Sequence, residues 1–346
     1  MKYIKIYNDL KKAILRREVA PHSPVPSEKA LTIKYHVSRI TAKRALNELE
    51  QAGLIERIQG KGSFVKEHGR LKSHQILLVL PFSGNNDLGN YVAGIQQVLK
   101  DTTWNLLSMT NNEFLNLNLA QIGKNYAGII YYPQNLSLEI PHLLELYLHQ
   151  IPIILLDQTI SNSLIPSVIS DNVGGGYLAC QHLIEQHYQK IAFYSTSHFE
   201  LDFSGSVAER FLGYVKALRK NEQFSFHSLD SFQIIKNEKK LVAWIKEKKI
   251  DSIIAENDVT AFRLLSLFQE KEIKVPEQVG LIGFDNLPIT RFAHPQLSSI
   301  GQDFIRLGTE AINLLLQQIN NPQLIFNKQV TVPVQLIKRA STCGGK

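Results

Sequence analysis

The sequence predicts an α/β protein in two parts: an N-terminal winged helix-turn-helix, then a two-lobed, doubly wound α/β unit. Three observations lead there. Residues 1–66 read as three helices and a glycine-tipped hairpin. From residue 75 to 346, continuous apolar runs alternate with helical stretches, as parallel strands buried on both faces do. The net charge of +7 is also unevenly placed: residues 1–70 hold 15 Lys and Arg against 7 Asp and Glu, the remainder 23 against 24. A basic excess confined to one small domain points to a polyanion, nucleic acid first.

Ile4, Tyr7, Leu10 and Ile14 recur at helical spacing, and Pro21, Pro24 and Pro26 predict that this first helix stops near Val19. Ser27 suits the N-cap of a second helix, with Glu28 favouring its dipole. After a break at His36-Val37, Ser38 caps a third helix running to about Gln51. Ala30, Leu31, Ala42, Ala45, Leu46 and Leu49 supply the face where helices two and three cross, the alanines allowing close approach. Gly53 ends the third helix as a left-handed cap. Leu54-Ile55, Ile58, "GKG" and Phe64-Val65 then predict a hairpin, the wing.

The third helix opens with Ser38, Arg39 and Thr41 crowded on one turn. In a major groove Arg39 can bond a guanine bidentately while Ser38 and Thr41 bond phosphates. Gly60 and Gly62 let the wing approach the sugar-phosphate backbone, with Lys61 as counterion. At these residues, "VPSEKAL" and "VSRITAKRALNELEQAGLIERIQGKGSFV", residues 3–66 resemble the winged helix-turn-helix of the GntR family of bacterial transcription regulators. Position by position, the resemblance implies contacts to double-stranded DNA from Glu28, Lys29, Ser38, Arg39, Thr41, Lys43, Gln59, Gly60 and Lys61. Lys2 is a further candidate for a phosphate, and Arg44 stands open between a contact and a solvated side chain. His22 and Arg17 replace loop glycines of the family, which concerns turn geometry.

Residues 67–74, "EHGRLKSH", read as a linker. Beyond them "QILLVLPF", "WNLLSMT", "AGIIYYP" and "IPIILLD" alternate with helices, and a second series repeats the rhythm from "SVIS" through "KIAFYS", "SIIAEND" and "VGLIGFD". Two such series predict two lobes, and in open α/β sheets ligands bind beyond the carboxyl ends of strands. There stand Asp157, Asn257-Asp258 and Asp285-Asn286, with Arg210 at the start of the helix "RFLGYVKAL". Carboxylates, amides and a guanidinium with aromatics nearby suit a sugar, whose hydroxyls both donate and accept. "DNVGGGY" is a phosphate loop only superficially: no Lys-Ser/Thr follows, and Asp171 is expected to cap the next helix.

"SDNVGGGYLACQHLIEQ", "AERFLGYVKAL", "AENDVTAF", "VPEQVGLIGFDN" and "HPQLSSIGQDFIRLGTEAINLLL" resemble the effector domain of the LacI/GalR family, over residues 75–341. That domain shares the fold of periplasmic sugar-binding proteins. The resemblance implies three crossings between lobes, a return of the chain near 303–326 to the first lobe, and ligand roles for Asp157, Arg210, Asn257 and Asp285, with Phe304 as a stacking candidate. It also places Phe82, Ser83 and Asp87, of the loop after the first strand, on the cleft, although "FSGNNDL" departs from the family pattern there. A GntR-type domain in front of a LacI-type one resembles the arabinose-repressor group. The architecture implies a homodimeric, sugar-responsive repressor of a carbohydrate operon, released from a palindromic operator by its sugar. Control by a protein partner or a non-sugar corepressor stays open.

Cys180 and Cys343 form neither a disulfide framework nor a metal spacing, so a reducing compartment and no metal or other cofactor are expected. The N-terminus lacks the apolar run of a signal peptide, and no stretch reaches the length of a membrane span; a cytoplasmic protein is the expectation. No Ser/His/Asp order or paired carboxylates mark a catalyst, and none is expected.

Overall fold

The computed structural model describes residues 2–15, 19–20, 22–58, 61–65, 74–81, 89–160, 164–196, 205–221, 238–321 and 328–343. The chain divides into two compact units, Met1–Ser73 and His74–Lys346.

The first unit contains α1 (Lys2–Leu15), α2 (Glu28–Tyr35), α3 (Arg39–Gln51) and the hairpin β1 (Ile55–Ile58) and β2 (Gly62–Val65). Both helix starts are capped by serine: Ser27 Oγ accepts from the Ala30 amide and Ser38 Oγ from the Thr41 amide, each at 3.2 Å. Between α2 and α3 the chain turns on His36 at φ 48°. Gly53, at φ 68°, follows α3 and donates to the Glu50 carbonyl, while Leu54 donates to that of Leu49. His22 takes φ 62°, so it occupies a left-handed position that glycine would fill without strain. Ile6, Leu10, Ile14, Leu31, Ala42, Ala45, Leu46 and Leu49 close the core with Ile55 and Val65 from the hairpin. Ala30 is exposed, so Leu31 alone is buried from α2 at the helix crossing.

The strands of the second unit run in chain order as β3 (Gln75–Leu80), β4 (Asn105–Thr110), β5 (Gly128–Tyr131), β6 (Ile153–Leu156), β7 (Ser167–Ser170), β8 (Ile191–Tyr194), β9 (Ser252–Ala255), β10 (Gly280–Asp285), β11 (Ser298–Gly301), β12 (Gln329–Val332) and β13 (Gln335–Ile337). They form a six-stranded sheet, β12-β7-β6-β5-β3-β4, and a five-stranded one, β13-β11-β10-β9-β8. In both sheets only the β11–β13 pairing is antiparallel. Side chains alternate between two cores: along β3, Ile76, Leu78 and Leu80 enter one and Leu77 and Val79 the other.

Helices α4 (Tyr91–Leu99), α5 (Asn111–Leu115), α6 (Leu119–Asn125) and α7 (Leu136–Leu148) belong to the first lobe. The second carries α8 (Asn172–Glu185), α9 (Gly205–Lys220), α10 (Glu238–Lys248), α11 (Asp258–Glu270) and α12 (Ile289–Phe292). The chain passes between lobes after β7, after β11 and after β12. The second passage leads into α13 (Phe304–Asn320), whose Leu307, Ala311, Ile312 and Leu315 return to the first lobe's core.

Two sequence expectations change. "SVIS" is the fifth strand of the first sheet rather than the start of the second series. Arg210 lies in the second turn of α9, which begins at Gly205. Among the described residues, no helix is long and apolar enough to cross a membrane.

Candidate effector cleft and DNA-facing surface

The polar residues at the strand ends converge between the lobes. Asp157 follows β6 and is 4% exposed. Its Oδ2 accepts a hydrogen bond from the Tyr91 hydroxyl at 3.1 Å, while Oδ1 is buried with no hydrogen-bond partner among the described residues. Burial pushes its carboxyl up to about 7, against a downward pull from Arg210 and an upward push from Asp285. Asp157 also has a left-handed backbone, φ 58°, and such outliers cluster where a side chain is aimed for function.

Arg210 reaches the same space from α9. Its Nε donates to Asn172 Oδ1 at 2.9 Å and its Nη1 to the Glu256 carbonyl at 2.6 Å. Nη2 lies 3.6 Å from Asp285 Oδ1, and the guanidinium sits 3.7 Å from the centroid of the Phe284 ring. Asp285 ends β10, buried, with a φ of 111°. Burial raises its carboxyl above the ordinary range, with Arg210 and the Gln302 amide pulling the other way. Gln302 Nε2 donates to Asp285 Oδ1 at 2.6 Å, and its Oε1 accepts from Ser170. Gln302 thus ties the second lobe's carboxylate to the end of β7 in the first. Gln158 Nε2 to Ser206 Oγ, 3.4 Å, is another contact between lobes.

The aromatic wall comes from the first lobe. Phe304 meets Tyr91 edge to face, ring centroids 5.1 Å apart, and Tyr132 lies 6.2 Å from Tyr91. Asn257 follows β9 and is half-buried, and its Oδ1 caps α11 by accepting from the Thr260 amide at 2.8 Å. The backbone uses that oxygen. Asp171 Oδ1 caps α8 through the Gly174 amide at 2.8 Å. The glycines after it serve packing: a Cβ on Gly176 would overlap the Arg210 carbonyl. Phe82, Ser83 and Asp87 lie outside the described residues.

In the first unit, Ser38, Arg39, Lys29, Lys43 and Lys61 are all exposed. A groove between α2, α3 and the hairpin is lined by Lys29, Ile33, Arg39, Ile58 and Lys61 among others. Thr41 Oγ1 and Ser38 Oγ are 2.9 Å apart, which holds the two hydroxyls together at the start of α3. Glu28 is engaged internally: its Oε2 accepts from Arg39 Nε at 3.0 Å and its Oε1 lies 4.0 Å from Arg57 Nη1. A carboxylate so placed orients the Arg39 and Arg57 side chains. Arg44 lies over the Tyr3 ring, 4.1 Å from its centroid, and 3.8 Å from Glu48. Lys2 begins α1, its side chain outside the description, as are Gln59 and Gly60 at the hairpin tip.

Comparison with known proteins finds a match for each part. Residues 2–65 match the bacterial regulatory proteins of the gntR family, and residues 180–342 match the periplasmic binding protein-like domain. The chain thus carries a gntR-type regulatory domain followed by a periplasmic binding protein-like domain. It is 23% identical to the arabinose metabolism transcriptional repressor of Geobacillus stearothermophilus, over 99% of this chain and 97% of that one. To the repressor of the same name in Halalkalibacterium halodurans it is 25% identical, over 100% and 97%. A LacI family transcriptional regulator from Enterococcus faecalis, solved with bound ribose, matches with a TM-score of 0.62 at 25% identity, covering 79% of this chain and 99% of that one.

Several residues of the LacI-type domain escaped sequence reasoning. Tyr91 and Tyr132 belong to no motif, although Tyr132 ends the run "AGIIYY", where a strand-end rule would have found it. Gln302 and Asn172 lie within quoted stretches but were not singled out, because the bonds that bring them to the cleft, Gln302 to Ser170 and Asn172 to Arg210, join residues far apart in sequence.

Proposed function

We propose that this protein is a sugar-responsive transcriptional repressor of a carbohydrate-utilisation operon, acting in the cytoplasm as a homodimer on a palindromic operator. The observation that carries the reading is the buried polar set at the strand ends of the two lobes: Asp157 in one, Arg210 and Asp285 in the other, with Gln302 bonded both to Asp285 and to Ser170 of the first lobe. A buried set of two carboxyls, one guanidinium and aromatic walls suits a neutral polyol better than an anion. The unpartnered Asp157 Oδ1 is a natural acceptor for a sugar hydroxyl. A pentose, L-arabinose first, fits the names of the full-length relatives.

In this reading the GntR domains hold two half-sites through Arg39, Ser38, Thr41, Lys29, Lys43 and the wing residues Gln59, Gly60 and Lys61, with Lys2 on a phosphate. Sugar draws the lobes together, and the GntR domains lose the spacing that fits both half-sites. The ligand acts only through its preference for the closed state, a coupling of about 1–3 kcal/mol.

A thermal-melt screen against pentoses, hexoses, disaccharides and sugar phosphates tests the sugar. At about 100 times its dissociation constant, a ligand stabilises the protein by about 2.7 kcal/mol. One stabilising class of neutral sugar is expected. A flat panel would contradict the sugar reading.

A further inference from the structure

We infer that Ile40 reads a thymine: its side chain contacts the C5-methyl group of one thymine in each operator half-site. This rests on the DNA-binding reading above and names a specificity-determining residue within it. On α3, Ala42, Ala45, Leu46 and Leu49 are buried against the domain core. At about 100° per residue, Ile40 projects nearly opposite that face. It is 81% exposed, more than any other large hydrophobic side chain among the described residues.

The ordinary reasons for an isoleucine do not apply at this position. Ile40 supports no core, and its β-branch makes it a poorer helix former than alanine or leucine. Its surroundings are cationic instead. Arg39 precedes it, and Lys43 and Arg44 follow three and four residues on, all three exposed. At the first turn of a recognition helix, an exposed aliphatic side chain among cationic neighbours in the sequence complements the thymine edge of the major groove. That edge presents one methyl group among hydrogen-bonding atoms, with phosphates on either side.

The test needs an operator, which repeated selection from a random duplex pool with the full-length protein supplies. Each thymine of the selected half-site is then replaced singly by deoxyuridine, which removes the methyl and keeps every hydrogen-bonding atom. One position should weaken binding by about four-fold, the value of one buried methyl group. Ile40→Ala should lose a similar factor on the thymine duplex and nothing further on the uracil duplex. The variant is exposed and gains helix propensity, so its melting temperature should match the parent's. If no thymine is methyl-sensitive, or if Ile40→Ala feels the missing methyl as the parent does, the assignment fails while DNA binding stands. If no duplex is enriched, the DNA-binding reading fails and takes the assignment with it.

Discussion

Glu28 Oε2 accepts a hydrogen bond from Arg39 Nε at 3.0 Å, so the helix before the recognition helix orients the guanidinium that would meet a base. The same carboxylate lies 4.0 Å from Arg57, in the β1 strand of the hairpin. Glu28 is thereby a positioning residue at the joint of α2, α3 and hairpin. Arg39 is 84% exposed, so the pair contributes little to folding, about 0–1 kcal/mol. Glu28→Gln should leave the melting temperature nearly unchanged and reduce discrimination between operator and random DNA. Higher affinity for both, with discrimination intact, would show that Glu28 merely repels phosphates.

Arg39→Ala should cost about 1–3 kcal/mol of operator binding and relax base preference at one position per half-site. Lys61→Ala should weaken operator and random DNA alike and flatten the salt dependence by about one unit of slope. Binding measured at several salt concentrations separates the two behaviours.

Asp157 gives a pH signature. Its folded carboxyl lies at about 7, above the ordinary 3.8, so the native state keeps a proton that the unfolded chain has released between those values. Stability from this group is therefore fully present below pH 3.8 and declines as pH rises toward 7. Asp157→Asn, neutral throughout, should gain on the parent between pH 5 and pH 8, by about 2 kcal/mol. Melting curves of both proteins across that range check it. A constant difference would mean that Asp157 is ionised in the free cleft at low pH.

Gly176 sits against the Arg210 backbone where α8 and α9 cross. Gly176→Ala would force the helices apart, costing about 1–3 kcal/mol and moving the guanidinium off Asp285. A lower melting temperature together with weaker sugar binding is expected. Loss of stability with sugar affinity unchanged would uncouple the helix crossing from the cleft.

Much of this fold could be read locally. Ser27, Ser38 and Asp171 announce helices because a capping side chain acts within three residues, and Gly53 ends one for the same short-range reason. Sheet membership was less legible. "SVIS" carries no mark of which sheet it joins, since apolar parallel strands look alike, and the passage between lobes comes only after it. Asp157 and Asp285 were singled out because strand ends are privileged positions, and Arg210 by its place in "AERFLGYVKAL". The polar oxygen of Asn257 was not foreseen as a helix cap, nor Glu28 as a partner of Arg39. Both choices depend on neighbours that only the folded chain supplies.

The most direct test of the account joins its two ends. A fluorescent duplex selected by the protein is titrated at fixed salt with and without the sugar that raises the melting temperature, for the parent and for Arg210→Ala. Removing Arg210 leaves the buried Asp285 carboxyl without its cation, so the variant is expected to melt earlier, yet its DNA-contacting residues are untouched. Sugar should weaken the parent's binding by about 5- to 150-fold and leave the variant's unchanged. Equal release of both proteins, or tighter binding of the parent with sugar, would contradict the cleft as the switch that frees the operator.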